Sequence, residues 1–281
     1  MNKIKITCDS TCDLTPKLYE MYDVEVTSLC VSLDDKLFRD GVDICSEDVF
    51  AFVAETGSLP KTSAVSVGEY EQVFKKYVDD GYQIIHINIS SHLSSCYQNA
   101  CIAAKEVGNV YPVDSLNLSS GSGHLVIEAA KMAKEGLSAE EIVEKLLVLR
   151  EKLDVSFVLQ TLDYLKKGGR CSTITALGAN LLQLRPEIEV KDGKMGVGNK
   201  YRGKMDKSIA DYVKGRLEGR KDLKLDRIFV THTHVPPEIV QDVINQIKEL
   251  QPFAEVIETA AGCTISSHCG PHCLGVLFFK K

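Results

Sequence analysis

Short β-branched runs alternate with stretches of 3.6-residue periodicity along the first half of the chain. Lys3 to Cys8 alternates apolar and polar positions and reads as a first strand. Ile84, Ile85, Ile87 and Ile89 form a run with the length and branching of a buried parallel strand, and Val110 to Val113 is another. Val24 to Ser32 reads as a second strand, followed by a turn at Asp34-Asp35 and a short strand from Lys36 to Arg39. Between these runs, helices are predicted over Lys17 to Tyr22 behind Pro16, over Ser46 to Glu55 with Gly57 ending it, and from Leu93 to Ala104. The S-x-x-E of Ser66 and Glu69 opens a helix reaching Asp80; others run from Ser120 to Glu135 and, behind Ser138, from Ala139 to Lys152. Leu59 to Ser66 reads as an extended loop. Alternation of this kind predicts a parallel, doubly wound α/β layer.

The second half is patterned differently. Val155 to Leu159 is a strand, followed by a helix through Leu165 and a polar turn from Lys166 to Arg170. An apolar helix, Ala176 to Leu184, stops before Pro186. Ile188 to Val197 is a hairpin turning at Asp192-Gly193. Helices from Lys204 to Leu217 and from Pro236-Pro237 to Leu250 separate strands at Arg227 to Thr231, Ala254 to Ile257 and Leu274 to Phe279. A hairpin and terminal strands among helices predict an α+β domain with a mixed or antiparallel sheet. The chain therefore divides into an N-terminal parallel α/β domain, 1–152, and a C-terminal α+β domain, 153–281.

At 281 residues, 44% apolar and 26% charged, the chain has the composition of a globular protein long enough for two domains. The net charge of −6 and the absence of a basic block point away from nucleic acid and anionic membranes. No stretch approaches the ~20 apolar residues of a membrane span, and the N-terminus lacks a signal-peptide core. A cytoplasmic location is the expectation, with the 10 cysteines as thiols rather than a disulfide framework.

Parallel sheets bind ligands at the carboxyl edge of their strands. Three hydroxyl-rich loops fall there: Asp9, Ser10 and Thr11; Ser90 to Ser95; and Asp114 to Ser120, with Ser115. Strand, polar bend and helix N-terminus together make an anion site, because first-turn N–H groups lack intrahelical partners. A set of N-caps without a ligand would account for the same residues. Thr62 and Ser63 have no capping duty and are left to face something else. Arg170, after Gly168-Gly169, offers a guanidinium suited to a carboxylate or phosphate, although a solvated arginine after a helix end reads equally well. His268 to Cys273 (HCGPHC) with His232 and His234 invites a zinc reading, weakened by the Gly270-Pro271 turn and by the lack of a C-x-x-C pair. A serine hydrolase using Ser94 and His268 would need an acid orienting the histidine, for which only Asp9 and Asp114 offer themselves. Phosphate-loop, nucleophile-elbow and dinucleotide fingerprints are missing.

Taken together, these segments resemble the DegV family, whose members include the fatty-acid-binding, FakB-type subunits of bacterial fatty acid kinase. The resemblance rests on ITCDSTCDL, on KTS at Lys61 to Ser63, and on ISSHLSSCYQNA, VDSLNLSSGSG and FVLQTLDYLKKGGR. Lys191 to Lys194 with Arg202-Gly203, and the closing HCGP and LGVLFF, complete it. It implies two domains with one long-chain fatty acid buried between them, and no cofactor or metal. It implies a carrier, not an enzyme by itself, that presents the carboxylate to a separate ATP-binding kinase subunit for conversion to acyl phosphate. The carboxylate-binding residues carried over are Thr62, Ser94 and His268, none with an evident local partner, and beside them Ser63 and Ser95. Asp9, Ser10, Ser115, Arg170, Arg202 and Gly270 are expected to support the site or dock the partner. A protonated His268 would suit a carboxylate best. The family's usual L-S-G-T-Y is Leu93 to Tyr97 with Ser95 and Cys96 replacing glycine and threonine, and its G-P-G ends here in His272.

Overall fold

The computed structural model describes residues 3–171 and 184–281. The chain begins with β1 (Lys3–Asp9), a 3-10 turn (Ser10–Cys12), α1 (Pro16–Met21), β2 (Val24–Thr27), β3 (Cys30–Leu33) and β4 (Lys36–Arg39). Next come α2 (Ser46–Thr56), β5 (Lys61–Ser63), α3 (Val67–Val78), β6 (Tyr82–Asn88), α4 (Cys96–Val107), β7 (Val110–Asp114), α5 (Ser119–Lys134) and α6 (Ala139–Arg150). The second half holds β8 (Leu153–Val158), α7 (Asp163–Gly168), β9 (Leu184–Lys191), β10 (Lys194–Arg202), α8 (Met205–Leu217) and β11 (Leu223–Thr233). It closes with α9 (Pro237–Leu250), β12 (Glu255–Ala260), α10 (Cys263–Cys269) and β13 (Cys273–Lys280).

Strands β2, β1, β6 and β7 form a parallel sheet in that order. A second, mixed sheet has the order β10-β9-β8-β13-β11-β12, with β11 and β12 parallel and the other pairs antiparallel. The two layers are those expected from the apolar patterns. A third sheet, β4-β3-β5, was not foreseen. Val24 to Ser32, expected as one strand, breaks at Ser28-Leu29: β2 pairs with β1, while β3 leaves to pair with β4 and β5. Lys61 to Ser63, expected as loop, is β5, because it adds an edge to β3. Three residues of strand carry too little periodicity to be seen in a sequence.

Smaller differences are local. Helix α4 starts at Cys96 rather than Leu93, since Leu93 and Ser94 turn back their N–H groups onto the Ser90 carbonyl. Helix α2 is capped by Cys45, which exchanges bonds with Asp48, and not by Ser46. The capping box expected at Ser66/Glu69 forms, and Ser138 and Glu141 make a second one. Helix α10 has no counterpart among the expected elements, and His268 lies in its last turn. The apolar helix expected over 176–184 falls outside the described residues up to 183; Leu184 begins β9.

Helix α5 joins the layers. It packs against β1 and β6 on one side and β8, β11 and β13 on the other, and Ser119 to Ile127 are all buried. Small residues permit this. A Cβ on Gly121 would lie 2.4 Å from Asn117 Oδ1, and one on Gly123 would lie 2.8 Å from the Cys12 carbonyl. The largest apolar cluster consequently runs across both sheets, from Ile6, Ile85 and Ile87 to Phe157, Phe229 and Leu277. His124 of α5 approaches the Leu277 carbonyl with Nε2, and burial pushes its pKa well down, so it is neutral there.

Candidate functional site

Asp9 ends β1 fully buried, and its carboxylate gathers the carboxyl edge of the parallel sheet. It accepts from the Tyr70 hydroxyl at 2.6 Å, the Ile89 N–H at 2.9 Å and Asn88 Nδ2, with His86 Nε2 at 3.1 Å. Several donors thus converge on one buried side chain and leave it well satisfied. This network holds the bend after β6 in place. Asn99 of α4 donates to the Val65 carbonyl at 2.7 Å, tying that bend to the segment after β5.

Three elements then converge on one cavity. β5 brings Thr62, the bend brings Leu93 and Ser94, and α10 brings His268. The cavity is small, about 50 Å³, and its other walls include Leu29, Ile89, Leu118, Leu165, Met195 and Ile265. A second apolar cavity of about 20 Å³ lies between Phe157, Thr231, Gly275 and Leu277. Leu118, Ile265 and Cys269 wall both, so the two cavities adjoin. On the outer side, Thr62, His268 and Arg170 also border an open cleft with Lys61 and Lys167.

Polar groups cluster on the wall of the first cavity. Thr62 Oγ1 and His268 Nε2 are 2.8 Å apart. The Nδ1 of His268 is out of reach of solvent and has no hydrogen-bond partner among the described residues. Gly168 lies against the ring: a Cβ there would sit 2.3 Å from Nδ1. Burial, and secondarily the Arg170 guanidinium, push the His268 pKa down to about 4. The imidazole is therefore neutral near pH 7. Ser94 also departs from expectation in having a local partner. Its Oγ accepts the Cys96 N–H at 3.3 Å and lies 3.2 Å from Cys96 Sγ.

A model described as an uncharacterised protein of the DegV family matches residues 3–281. The chain belongs to the DegV family. A DegV domain-containing protein of Clostridium acetobutylicum is 35% identical, with 100% of each chain covered. One of Caldanaerobacter subterraneus is 32% identical, again with 100% of each covered. Among solved structures, a fatty-acid-binding DegV protein of Thermus thermophilus superposes with a TM-score of 0.90 at 29% identity, covering 99% of this chain and 100% of that one. A stearic-acid-binding protein of Eubacterium ventriosum gives a TM-score of 0.87 at 28% identity, covering 100% and 99%.

Of the residues carried over from the DegV motifs, Thr62, Ser63, Ser94, Arg170 and His268 border the one cavity. Ser95 does not. It faces a neighbouring polar recess with Ser91, His92, Gln98 and Arg170. Ser10 and Ser115 are engaged elsewhere: Ser10 bonds Asp40 and the Leu29 N–H, and Ser115 bonds Ser122. Arg202 is exposed at the end of β10. Gly270 closes α10 with φ +72°, and Tyr164 packs where a side chain would be. The substituted Cys96 fills buried space under Tyr70, while His272 lies on the outer surface near His234. Met195, Leu118 and Ile265 were not singled out beforehand; apolar residues in strands and helices carry no mark of which cavity they will line.

The rival readings find little geometry. His268 Nε2 meets Thr62, not Ser94, and neither proposed acid faces Nδ1: Asp9 is committed to the network above, and Asp114 accepts the Ser91 and Leu116 N–H groups. Among the described residues, no group of three or more His, Cys, Asp or Glu is disposed to hold a metal. No described helix is long and apolar enough to cross a membrane.

Proposed function

We propose that this protein binds a long-chain fatty acid between residues 1–152 and 153–281 and presents its carboxylate to a separate ATP-binding kinase subunit, which converts it to acyl phosphate. The observation that carries this reading is the Thr62–His268 contact, with Ser94 beside it, bordering one of two adjoining apolar cavities. DegV relatives described as binding fatty acids support it through the same fold.

The physics divides the work. Each buried methylene contributes about 0.8 kcal/mol, so a tail of ~15 supplies on the order of 10 kcal/mol before the cost of ordering it. The head group needs donors enough to offset desolvating a carboxylate. Thr62 and Ser94 hydroxyls and His268 Nε2 provide them, with Ser63 at the rim and Arg170 compensating charge. Small-molecule pockets commonly enclose about 300–1,000 Å³, so the walls shared by Leu118, Ile265 and Cys269 must part to admit a long chain. The open cleft on the outer side of Thr62 and His268 leaves a carboxylate oxygen within reach of a phosphate donor, and Lys61, Lys167 and Arg170 would offset its charge.

Native mass spectrometry of the purified protein, followed by organic extraction, tests the first step. A stoichiometric fatty acid is expected; an apo mass with no uptake of added palmitate would overturn it. The second step is tested by adding an ATP-binding kinase subunit and trapping acyl phosphate with hydroxylamine. Hydroxamate should form only when both proteins are present.

A further inference from the structure

Helix α10 cannot cap itself. Its N-cap is Gly262, and its first-turn N–H groups are taken by two carboxylates from the other half of the chain. Gly262 N–H donates to Asp13 Oδ1 at 2.9 Å; Cys263 N–H donates to Asp40 Oδ1 at 2.7 Å and Thr264 N–H to Asp40 Oδ2 at 3.0 Å. Both carboxylates are buried, Asp13 at 5% and Asp40 at 2% exposure. Ser119 Oγ donates to the second oxygen of Asp13, and Ser10 Oγ to Asp40. Room is tight, since a Cβ on Gly262 would lie 3.0 Å from Asp40 Oδ1 and 3.2 Å from Asp13 Oδ1.

The position of Asp40 gives this cap a second consequence. Asp40 directly follows β4, in the small sheet whose β5 carries Thr62. One sheet therefore holds α10 at both ends: Asp40 at its first amides, and Thr62 at His268 in its last turn. Each residue of an α-helix adds about 100° of rotation and about 1.5 Å of rise, so a small slip at the start carries the imidazole away from Thr62.

We propose that Asp13 and Asp40 are positioning residues for His268, fixing the depth and rotation of α10 so that Nε2 meets Thr62 and a bound carboxylate. Asp40 is the stronger of the two, because both its oxygens accept backbone N–H groups. Asp13 gives the backbone one oxygen, which an amide would retain. The inference rests on the fatty-acid reading for its functional consequence, but its structural part stands apart from it.

The test measures palmitate affinity and the side-chain nitrogen shifts of His268 in Asp40→Asn, Asp13→Asn and Gly262→Ala, each also made with His268→Ala. Asp40→Asn, which leaves one oxygen for two N–H groups, should move the His268 shifts in lipid-free protein and weaken palmitate binding by about tenfold or more. Asp13→Asn should change both much less. In the His268→Ala background, Asp40→Asn should alter affinity by less than about twofold, because its effect passes through the histidine. A purely structural cap would cost affinity equally in both backgrounds, and that result overturns the proposal, as does unchanged affinity in folded Asp40→Asn. Should Asp40→Asn not fold, Gly262→Ala keeps both carboxylates but crowds them; wild-type affinity and unchanged His268 shifts there also overturn it. Wild-type protein that takes up no palmitate would sink the fatty-acid reading, while unchanged His268 shifts in lipid-free Asp40→Asn would sink the clamp alone.

Discussion

Thr62 Oγ1 and His268 Nε2 meet at 2.8 Å although 206 residues separate them in sequence. One comes from an edge strand of the first half, the other from the last helix of the second. Each satisfies the other, and in the proposed complex a head group entering between them would take over both.

Removing one partner leaves the other buried and unpaired. Thr62→Ala should therefore cost about 1–2 kcal/mol of stability, read as a lowered denaturation midpoint, and should reduce palmitate loading. Thr62→Ser keeps the hydroxyl and should restore loading; if the serine and alanine variants load alike, the hydroxyl is not a ligand.

Gly168 and Gly169 make opposite predictions. A methyl at Gly168 would collide with His268 Nδ1 at 2.3 Å, whereas one at Gly169 meets nothing within 4 Å but is strained by a φ of +70°. Gly168→Ala should displace the imidazole, costing about 1–3 kcal/mol and most of the carboxylate affinity. Gly169→Ala should cost about 1 kcal/mol and leave loading intact. Equal loading by the two variants, measured by extraction and mass spectrometry, would count against His268 as a head-group ligand.

Much of this arrangement was legible beforehand. The β-branched runs and capping signals gave the parallel layer, since burial on both faces leaves a continuous apolar run. Asp192-Gly193 gave the hairpin, because only residues tolerating positive φ turn two strands so tightly. What stayed hidden depends on partners far away in sequence. Lys61–Ser63 is a strand because β3 lies beside it, and α10 is a helix whose cap comes from Asp13 and Asp40. Its seven residues show no periodicity of their own. The motif residues Thr62, Ser94 and His268 could be named, but the neutral state of His268 follows from burial that no sequence displays.

That neutral state fixes a pH dependence. The folded His268 pKa is about 4, below the ~6.5 of an unfolded histidine, so the unfolded chain binds more protons between those values. Its contribution to stability is intact above about pH 6.5 and is lost as the pH falls toward 4. A bound carboxylate acts the other way, favouring the imidazolium and raising this pKa. Palmitate binding near pH 6 should therefore take up protons, seen by calorimetry in buffers of different ionisation enthalpy. His268→Gln should abolish that uptake; proton uptake that survives the substitution would assign it to another group.

The β9–β10 hairpin supplies one wall of the cavity. Ser90 Oγ, in the bend after β6, donates to the Gly193 carbonyl at 2.8 Å, joining the first half to the turn between β9 and β10. Gly193 has φ +77°, and a side chain there would lie 2.6 Å from Ser90 Oγ, so the turn can approach only as glycine. Two residues on, Met195 lines the cavity. The clasp thus holds an apolar wall of the cavity, and in the proposed complex that wall would cover the tail rather than the head group. Ser90→Ala removes the bond to the Gly193 carbonyl, worth about 1–2 kcal/mol with the carbonyl left unpaired, and also the acceptor of the His92 N–H within the bend. Since the donors to the carboxylate are untouched, the loss should appear in how long the lipid stays. Release of a fluorescent fatty acid into vesicles should quicken several-fold, with the proton uptake of the preceding paragraph unchanged. If release keeps its wild-type rate while stability falls, the hairpin is a structural arm and Met195 a fixed wall.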